Sequence, residues 1–286
     1  MHSAPTHERN ADQAAYWNGP AGRRWIDRQK SQDAVLAPIS QALLDRARVV
    51  AGERAIDIGC GCGATAIELA RRVGRRGHVL GVDISAPMLA RARELAPPDL
   101  ALTFVHADAT VHRFEVGRAD LAFSRFGVMF FAEPAVSFAN IRTGLRPLGR
   151  VAFVCWREPR RNPWMMLPLQ EAYKHAPRLP ELSPEDPGPF SFAREARVHR
   201  ILSEAGFSAI ALEPFDVSLD LAVGRGLDAA VEGALQIGPV SRVLEGQPPE
   251  VSAAVAGSIR TALSSHVRGE QVRLGASVWI TTAVSG

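Results

Sequence analysis

The chain has 286 residues, of which 47% are hydrophobic and 22% charged, and its formal net charge is +3. This is an ordinary globular composition, which excludes a disordered chain and a small disulfide-rich scaffold. The length allows one large α/β domain with insertions or two smaller domains, and the weak charge demands neither nucleic acid nor a membrane as partner.

Three features of the sequence bear on the setting of the protein. No apolar run of about 18 residues is present, so we expect no membrane span, and the first residues lack the apolar core of a signal peptide. The three cysteines are an odd number, and Cys60 and Cys62 lie too close together for a structural disulfide. A C-x-C pair without a second Cys or His pair also lacks a zinc complement. We expect free thiols, no metal and a reducing, cytoplasmic setting.

The first 50 residues are expected to form a helical arm ahead of the main domain at 51–286. Val35, Ile39 and Leu43 recur at helical spacing, which predicts a helix over about 31–50. Upstream of it lie Tyr16 and Trp17, which precede a Gly-Pro break.

The next hundred residues alternate between strand and helix patterns. Short apolar runs predict strands at 54–59, 78–84, 102–107, 119–124 and 150–156. Helical patterns occupy 64–73, the stretch after the candidate cap Ser85, and 134–146. Such alternation predicts a parallel sheet covered on both faces.

The alternation breaks after Trp156. Residues 157–192 are proline-rich, with one short helix expected near 165–174, and a segment of this length is often a lid or a binding segment. A helix at 196–205, a strand at 208–221, a helical stretch at 225–268 and a final strand at 271–283 follow. We expect 157–192 and 225–268 to form a lid over an acceptor pocket.

The most informative stretch is AIDIGCGCGATAIELA, residues 55–70. A strand that ends in a glycine-rich turn before a helix favours a ligand, because backbone amides approach it closely. Gly59, Gly61 and Ala64 satisfy the dinucleotide pattern, and Asp83 at the end of the next strand suits a ribose. Taken alone, this loop fits an NAD(P)-dependent oxidoreductase.

Further residues favour a ligand other than a dinucleotide. Asp57 precedes the glycines, and an acid in the loop repels a pyrophosphate but suits a positive amino or sulfonium group. Gly63 is a third glycine that the dinucleotide pattern does not require. Asp83 can accept from both hydroxyls of a ribose, and Asp108, just past the third strand, suits an adenine amino group.

With these features, residues 55–156 resemble the class I S-adenosylmethionine-dependent methyltransferases, and more narrowly the ubiquinone/menaquinone-type and related small-molecule enzymes of bacteria. The stretches that carry the resemblance are AIDIGCGCG, VLGVDIS, VHADAT, DLAFSRFGVMFF and NIRTGLRPLGRVAFVCW. The family usually has Pro-Gly-Gly before its fifth strand, where this chain has Pro147-Leu148-Gly149. That departure concerns a turn away from the cofactor.

The resemblance implies a Rossmann-like, doubly wound α/β sheet of seven strands, the last one antiparallel, and S-adenosylmethionine as cofactor with S-adenosylhomocysteine as product. It places the glycine loop on the methionine moiety, Asp83 on the ribose and Asp108 on the adenine. The implied cofactor-binding residues are Asp57, Gly59, Cys60, Gly61, Gly63, Asp83, Ile84, Met88, Asp108, Ala109, Ser124 and Arg125, with Tyr16 and Trp17 of the arm closing the site.

Catalysis by such an enzyme needs no fixed catalytic triad. Methyl transfer from a sulfonium is a direct displacement, so alignment and exclusion of water suffice unless the nucleophile must lose a proton. Tyr173 and His175 in the proline-rich segment are candidate bases, although a solvated position competes for both. The arm and the two insertions are rich in Met, Trp, Leu and Pro, which favours a small, partly apolar acceptor.

Two other classes of function stay open at this point. An oxidoreductase would use the same glycine loop, but neither tyrosine, Tyr16 nor Tyr173, stands in a Y-x-x-x-K spacing. A non-catalytic cofactor-binding module would bind the nucleoside without turnover. A nucleic-acid methyltransferase is not expected, because no basic domain stands out and an N/D-P-P-Y/F motif is absent. We expect a monomer or a homodimer.

Overall fold

The architecture follows from one mixed sheet. The computed structural model describes residues 8–181, 183–236 and 238–286, so the first seven residues of the expected arm lie outside the described residues. The strands are β1 (Arg54–Ile58), β2 (His78–Asp83), β3 (Leu102–His106), β4 (Ala119–Arg125), β5 (Leu145–Trp156), β6 (Phe207–Asp220), β7 (Val267–Arg268) and β8 (Gln271–Ser285).

The strand order is β3-β2-β1-β4-β5-β8-β6, with the two-residue β7 paired to β8 outside this path. β3, β2, β1, β4 and β5 pair in parallel, whereas β8 runs antiparallel to both β5 and β6. This confirms the expected Rossmann-like sheet with an antiparallel last strand. The chain order reverses between β1 and β4, and such a switch point opens a crevice at the carboxyl ends of the strands.

Ten α-helices occur in the described ranges. They are α1 (Ala11–Asn18), α2 (Pro20–Ala47), α3 (Ala64–Val73), α4 (Ala86–Leu95), α5 (Pro134–Gly144), α6 (Pro163–Ala172), α7 (Glu195–Glu204), α8 (Gly226–Gln236), α9 (Pro239–Val243) and α10 (Pro249–Ser264). α2 packs against α3 and α4, and α5 packs against α7.

The arm is more continuous than the sequence pattern indicated. Instead of a helix over 31–50, α2 runs through 28 residues with Pro38 inside it, and Pro20 stands in its first turn. An internal proline removes a backbone hydrogen bond. The helix persists because Val35 and Ile39, on either side of Pro38, are buried against the main core.

The two insertions meet in a second hydrophobic core. α6 from the first insertion packs against α9 and α10 from the second, with Leu169, Val231 and Ile259 among the buried residues. The expected helical stretch at 225–268 is three helices, because Gly238 at positive φ and Pro248 each interrupt it. We call this assembly of α6, α8, α9 and α10 the cap.

The turn before β5 shows the consequence of its unusual sequence. Leu148 adopts φ 60° and is 74% exposed. A left-handed conformation is easy for glycine and strained for leucine. The family that the sequence resembles usually has a glycine at this position. The leucine of this chain therefore introduces local backbone strain in the turn.

Two glycines allow the turns after β1 and β4 to touch at the switch point. A Cβ on Gly127 would stand 2.8 Å from the carbonyl oxygen of Ile58 and 2.9 Å from Cα of Gly59. Ser124 Oγ also donates to the Ile58 carbonyl at 2.8 Å. Backbone atoms block any added side chain here, and they cannot move aside as a flexible side chain could.

We therefore predict that Gly127→Ala destabilises the fold by about 1–3 kcal/mol, the usual effect of overpacking. Chemical denaturation measures the free energy of unfolding. The matched control is Gly257→Ala in α10, where a Cβ has open space and alanine favours the helix. Equal stability of the two variants would contradict the proposed close approach.

Candidate functional site

A cavity of about 740 Å³ lies at the carboxyl edge of the sheet. Its floor is the loop after β1, the ends of β2 and β4, and the turn after β3. Its walls come from α1, the first half of α2, α6, residues 179–180 and 186–190, and the start of α9. A volume of this size fits a drug-sized ligand.

The glycine loop turns under the cavity by means of positive φ angles at Gly59, Gly61 and Gly63. Gly59, Cys60 and Gly61 line the cavity. Gly63 lies below it, and a Cβ there would meet Ala92 and Phe104 at 3.0 and 3.1 Å. The third glycine thus serves close packing of the loop against α4 and β3.

The two loop cysteines are buried and unpaired. Burial raises the pKa of the Cys62 thiol to about 12, and burial together with nearby Asp83 and Asp57 raises the pKa of Cys60 well above its usual value. Both thiols are therefore neutral near pH 7, and their small size suits a loop that lines a ligand cavity.

Asp83 closes the floor at the end of β2. Its Oδ2 accepts from the Gly61 amide at 2.7 Å and its Oδ1 from the Ser85 amide at 2.8 Å. Desolvation raises the pKa of Asp83, although the amides of Ser85 and Gly61 oppose that shift. The neighbouring Ile84 and Met88 also line the cavity, so this corner contains the acceptor set expected for a ribose.

Asp57 lies beneath the loop and is fully buried. Thr65 Oγ1 donates to its Oδ2 at 2.7 Å, whereas Oδ1 has no hydrogen-bond donor among the described residues. Desolvation raises the pKa of Asp57 to about 7, and the Thr65 bond and the charge of Arg125 oppose the shift. Asp57 does not line the cavity, so its buried carboxyl group acts on a bound ligand through its charge rather than by direct contact.

Asp108 lies past β3, where it contacts the arm. Asn10 Nδ2 donates to both of its carboxylate oxygens, at 3.0 and 2.8 Å, and the Thr110 amide donates to Oδ1 at 2.8 Å. Asp108 and Ala109 both line the cavity. This position at the end of the outermost parallel strand is the one expected for an adenine contact.

Ser124 and Arg125 have different surroundings, although they are adjacent at the end of β4. Ser124 is buried, bonds backbone groups of the two touching turns and does not line the cavity. Arg125 lines it and forms an ion pair with Asp33 of α2 at 2.7 Å. Gln29 also donates to Asp33, at 2.5 Å, so Asp33 is held at the boundary between loop and arm.

Both aromatic residues of the arm line the cavity. The Trp17 ring packs edge-on against Tyr16 at 5.1 Å and against Phe130 at 5.1 Å. Ser85 Oγ donates to the Trp17 carbonyl at 2.8 Å, which holds the arm to the start of α4. The arm thus covers the end of the cavity that contains Asp83 and Asp108.

The two candidate bases, Tyr173 and His175, lie in different surroundings. Tyr173 lines the cavity, with the Arg178 guanidinium 5.3 Å from its ring centroid. His175 is exposed, bonds Ser258 of α10 at 2.7 Å and does not line the cavity. Of the pair, only Tyr173 is positioned to approach an acceptor.

An apolar chamber extends the cavity under the cap. Phe126 stacks on Trp156 with ring centroids 4.2 Å apart and planes 11° apart, and Trp164 packs beside Trp156 at 5.0 Å. The residues of the chamber that sequence analysis did not single out are Trp25, Leu36, Phe126, Trp156, Trp164, Met165, Met166, Leu169 and Phe190. Only the composition of the arm and of the two insertions indicated such a surface, because these residues come from distant segments.

None of the helices in the described part of the chain is both long enough and apolar enough to cross a membrane. Within the same residues, no three His, Cys, Asp or Glu side chains are placed to hold a metal ion.

Comparison with known proteins agrees with this geometry. Residues 55–149 match the family model described as "Methyltransferase domain". This match confirms, over these residues, the resemblance to the class I S-adenosylmethionine-dependent methyltransferases that the motifs indicated.

Two curated relatives resemble this domain. Aklanonic acid methyltransferase DauC of Streptomyces sp. (strain C5) is 33% identical over 118 residues, which are 41% of this chain and 54% of the relative. The 2-phytyl-1,4-naphtoquinone methyltransferase of Trichormus variabilis is 32% identical over 111 residues, 38% of this chain and 48% of the relative. The chain thus spans about half the length of these relatives.

A solved structure supports the fold. Phosphoethanolamine N-methyltransferase 2 of Haemonchus contortus, in complex with S-adenosyl-L-methionine, aligns with a TM-score of 0.57 at 18% identity. The alignment covers 98% of this chain and 60% of that one. At this identity the likeness concerns the fold alone.

We predict that the stability of the protein without added ligand falls between about pH 4 and pH 7 because of Asp57. Its folded-state pKa of about 7 exceeds the ordinary 3.8, so the folded state binds more protons than the unfolded state in this window. Full ionisation then lowers the free energy of unfolding by up to about 4 kcal/mol. In Asp57→Asn this decline is smaller, as pH-dependent denaturation will measure.

The control for this experiment is Asp120→Asn. Hydrogen bonds and nearby arginines lower the pKa of Asp120, so its contribution changes only below about pH 4. Parallel stability curves for Asp57→Asn and the wild type from pH 4 to 7 would contradict the assignment.

Proposed function

We propose that the protein is an S-adenosylmethionine-dependent methyltransferase that transfers a methyl group to a small, partly apolar organic acceptor. The observation that carries the proposal is one continuous cavity with two chemically different ends. One end is lined by Asp83, Asp108 and the glycine loop, and the other by the aromatic chamber under the cap. Donor and acceptor can therefore meet inside one enclosed site.

The residues present fit the cofactor. Asp83 offers carboxylate oxygens to the ribose hydroxyls, and Asp108 with Ala109 faces the adenine end. Asp57 lies below the loop, where its Oδ1 has no donor among the described residues, and its carboxylate favours the positive charge of the methionine portion electrostatically. The glycine loop, Arg125 and Met88 complete that end, and Tyr16 and Trp17 close it.

The cofactor, when bound, supplies an activated methyl group on a sulfonium. The protein aligns an acceptor atom with that group and keeps water away. The Phe126–Trp156 stack forms the wall next to the end of β4, where the two ends of the cavity join. Tyr173 is the candidate base that faces the cavity, and it acts only where the nucleophile must lose a proton.

The acceptor is proposed from the chamber and supported by the relatives. Aromatic and methionine side chains favour a flat, apolar body, and the two relatives are named as methyltransferases of aklanonic acid and of 2-phytyl-1,4-naphtoquinone. The polar residues Gln32, Asp33 and Arg24 also line the cavity, which suits an acceptor that carries oxygen functions.

The oxidoreductase alternative has less support. Burial of Asp57 and Asp83 beneath the loop places acidic groups where a dinucleotide would bring a negative pyrophosphate.

The free thiols Cys60, Cys62 and Cys155 support the proposal of a reducing, cytoplasmic setting. The oligomeric state, monomer or homodimer, stays a prediction.

We predict that Asp83→Ala weakens S-adenosylhomocysteine binding by about 1–3 kcal/mol, because the ribose hydroxyls lose their acceptors. This corresponds to about 5–150-fold in Kd, measurable by titration calorimetry. The matched control is Asp120→Ala, which also removes a carboxylate bonded to a backbone amide, that of Arg54 at 2.8 Å, but lies at the start of β4. Unchanged affinity in Asp83→Ala would refute the ribose assignment.

A second measurement separates the functional classes. Wild-type protein should gain thermal stability with S-adenosylhomocysteine and not with NADH, since binding to the native state raises Tm. Incubation with S-adenosylmethionine and acceptors grouped by O, N, C or S nucleophile, followed by mass spectrometry, then tests turnover. Stabilisation by NADH alone would favour the oxidoreductase, and binding without turnover would favour the non-catalytic module.

A further inference from the structure

The inner face of α1 is turned toward the cavity along its whole length. Asn10 just before α1 and Asp12, Gln13, Tyr16 and Trp17 within it line the cavity. Gln13 stands three residues after Asn10 and three to four before Tyr16 and Trp17, a spacing that places these residues on one side of a helix. Only Tyr16 and Trp17 were expected there from the sequence. The polar pair Asn10 and Gln13 therefore needs its own explanation.

Both ends of α1 are fixed to the carboxyl edge of the sheet. At the first end, Asn10 bonds Asp108 just past β3. At the last end, Asn18 Nδ2 donates to the Ile84 carbonyl at 2.9 Å, and its Oδ1 accepts from the Ala86 amide at 2.9 Å, just past β2. The helix thus lies across the ends of β3 and β2, above the positions assigned to adenine and ribose.

Asn10 makes tertiary contacts in place of a helix cap. It precedes α1 as the N-cap residue but makes no side-chain cap hydrogen bond, although asparagine is a favoured cap. Its amide instead donates to Asp108 and to Thr110 Oγ1 at 2.9 Å, and its Oδ1 accepts from the Ala132 amide at 3.0 Å. With 3% of its surface exposed, Asn10 is built into the pocket wall and fixes the Asp108 carboxylate.

Gln13 carries a buried acceptor that lacks a donor. Its Oε1 has no hydrogen-bond partner among the described residues, while the side chain lines the cavity. Gln13 is three residues beyond Asn10, about 4.5 Å along the helix axis, which places it between the ends of β3 and β2. A buried, unpaired acceptor at this place calls for a donor from a ligand.

We propose that α1 completes the nucleoside pocket: Gln13 accepts a hydrogen bond from the bound nucleoside, and Asn10 positions Asp108 for its contact with the adenine amino group. The inference rests on the proposed function, since the nucleoside is that of S-adenosylmethionine. The donors that such a nucleoside offers to Gln13 are the adenine 6-amino group and the ribose hydroxyls. The arm then takes part in recognition as well as covering the site.

The test for Gln13 uses Gln13→Leu, which keeps the approximate volume and helix propensity but removes the acceptor. We expect its Kd for S-adenosylhomocysteine to rise roughly 3–10-fold, the effect of one neutral hydrogen bond. Titration calorimetry is repeated with S-inosylhomocysteine, which lacks the 6-amino group, and with the 2′-deoxy and 3′-deoxy analogues. One of these analogues lacks the group that donates to Gln13. For that analogue, the wild type and Gln13→Leu should have the same Kd.

The matched control is Gln41→Leu, an exposed glutamine of α2 that bonds Asp45 at 2.7 Å and does not line the cavity. Its affinity should equal that of the wild type, and thermal unfolding without ligand shows that all variants are folded. Equal weakening of Gln13→Leu toward all four ligands, or no weakening, overturns the role of Gln13. Wild-type protein that binds no S-adenosylhomocysteine overturns the proposed function, and this inference with it.

Asn10 is tested by Asn10→Ala, with discrimination as the readout. The wild type should prefer S-adenosylhomocysteine to S-inosylhomocysteine, and the variant should lose most of that preference because Asp108 is no longer fixed. Thr110→Val is the comparison variant: it removes one partner of Asn10 and leaves the bonds between Asn10 and Asp108 in place, so it should keep the preference. A variant Asn10→Ala that binds both ligands more weakly by one common factor would reduce Asn10 to a structural role and refute the proposal for it.

Discussion

The site depends on the close contact of two backbone turns at the switch point of the sheet. Gly59 after β1 and Gly127 after β4 touch without side chains between them, and Ser124 Oγ bonds both turns, accepting from the Gly127 amide at 3.2 Å and donating to the Ile58 carbonyl. With these turns drawn together, the glycine loop lies flat beneath the cavity. Arg125 and Phe126 then emerge on its other side, where the apolar chamber begins.

This arrangement places carboxylates where water is largely excluded. Asp57 and Asp83 are both buried, and desolvation raises the pKa of each. The surroundings treat them differently: two backbone amides satisfy Asp83, whereas one hydroxyl satisfies Asp57 and leaves Oδ1 without a donor in the described residues. The hydroxyl groups of a ligand can donate to Asp83, and a positive charge on the ligand is attracted to both carboxylates. The electrostatics of this edge of the sheet therefore favour a cationic nucleoside over a dinucleotide.

Local sequence was enough to predict the strands, turns and helix starts that form this edge of the sheet. The glycine loop, the strand ends that carry Asp83 and Asp108, and the caps of the following helices are each encoded within a few residues, and the structure has them in the expected places. Residues fixed by long-range contacts could not be found in this way. Asn10 meets Asp108 across 98 positions and Asp33 meets Arg125 across 92, and neither pair leaves a periodic signal. For Ser124, local sequence was misleading. Its place at a strand end predicted a cofactor contact, whereas its hydroxyl group hydrogen-bonds the backbone of Ile58 and Gly127.

The acceptor half is assembled from segments that have no local motif. Trp25 comes from the arm, Phe126 and Trp156 from the ends of adjacent strands, and Trp164 from the cap. Each segment is held by its own packing: the cap by a hydrophobic core separate from that of the sheet, and the arm by hydrogen bonds to the sheet edge. The chamber lies where the two cores meet: Trp156 and Met165 belong to the sheet core, whereas Leu169 belongs to the cap core and Trp164 packs against both. The cofactor can therefore be inferred from motifs at the strand ends, whereas the acceptor has to be inferred from the shape and chemistry of a cavity that distant segments assemble.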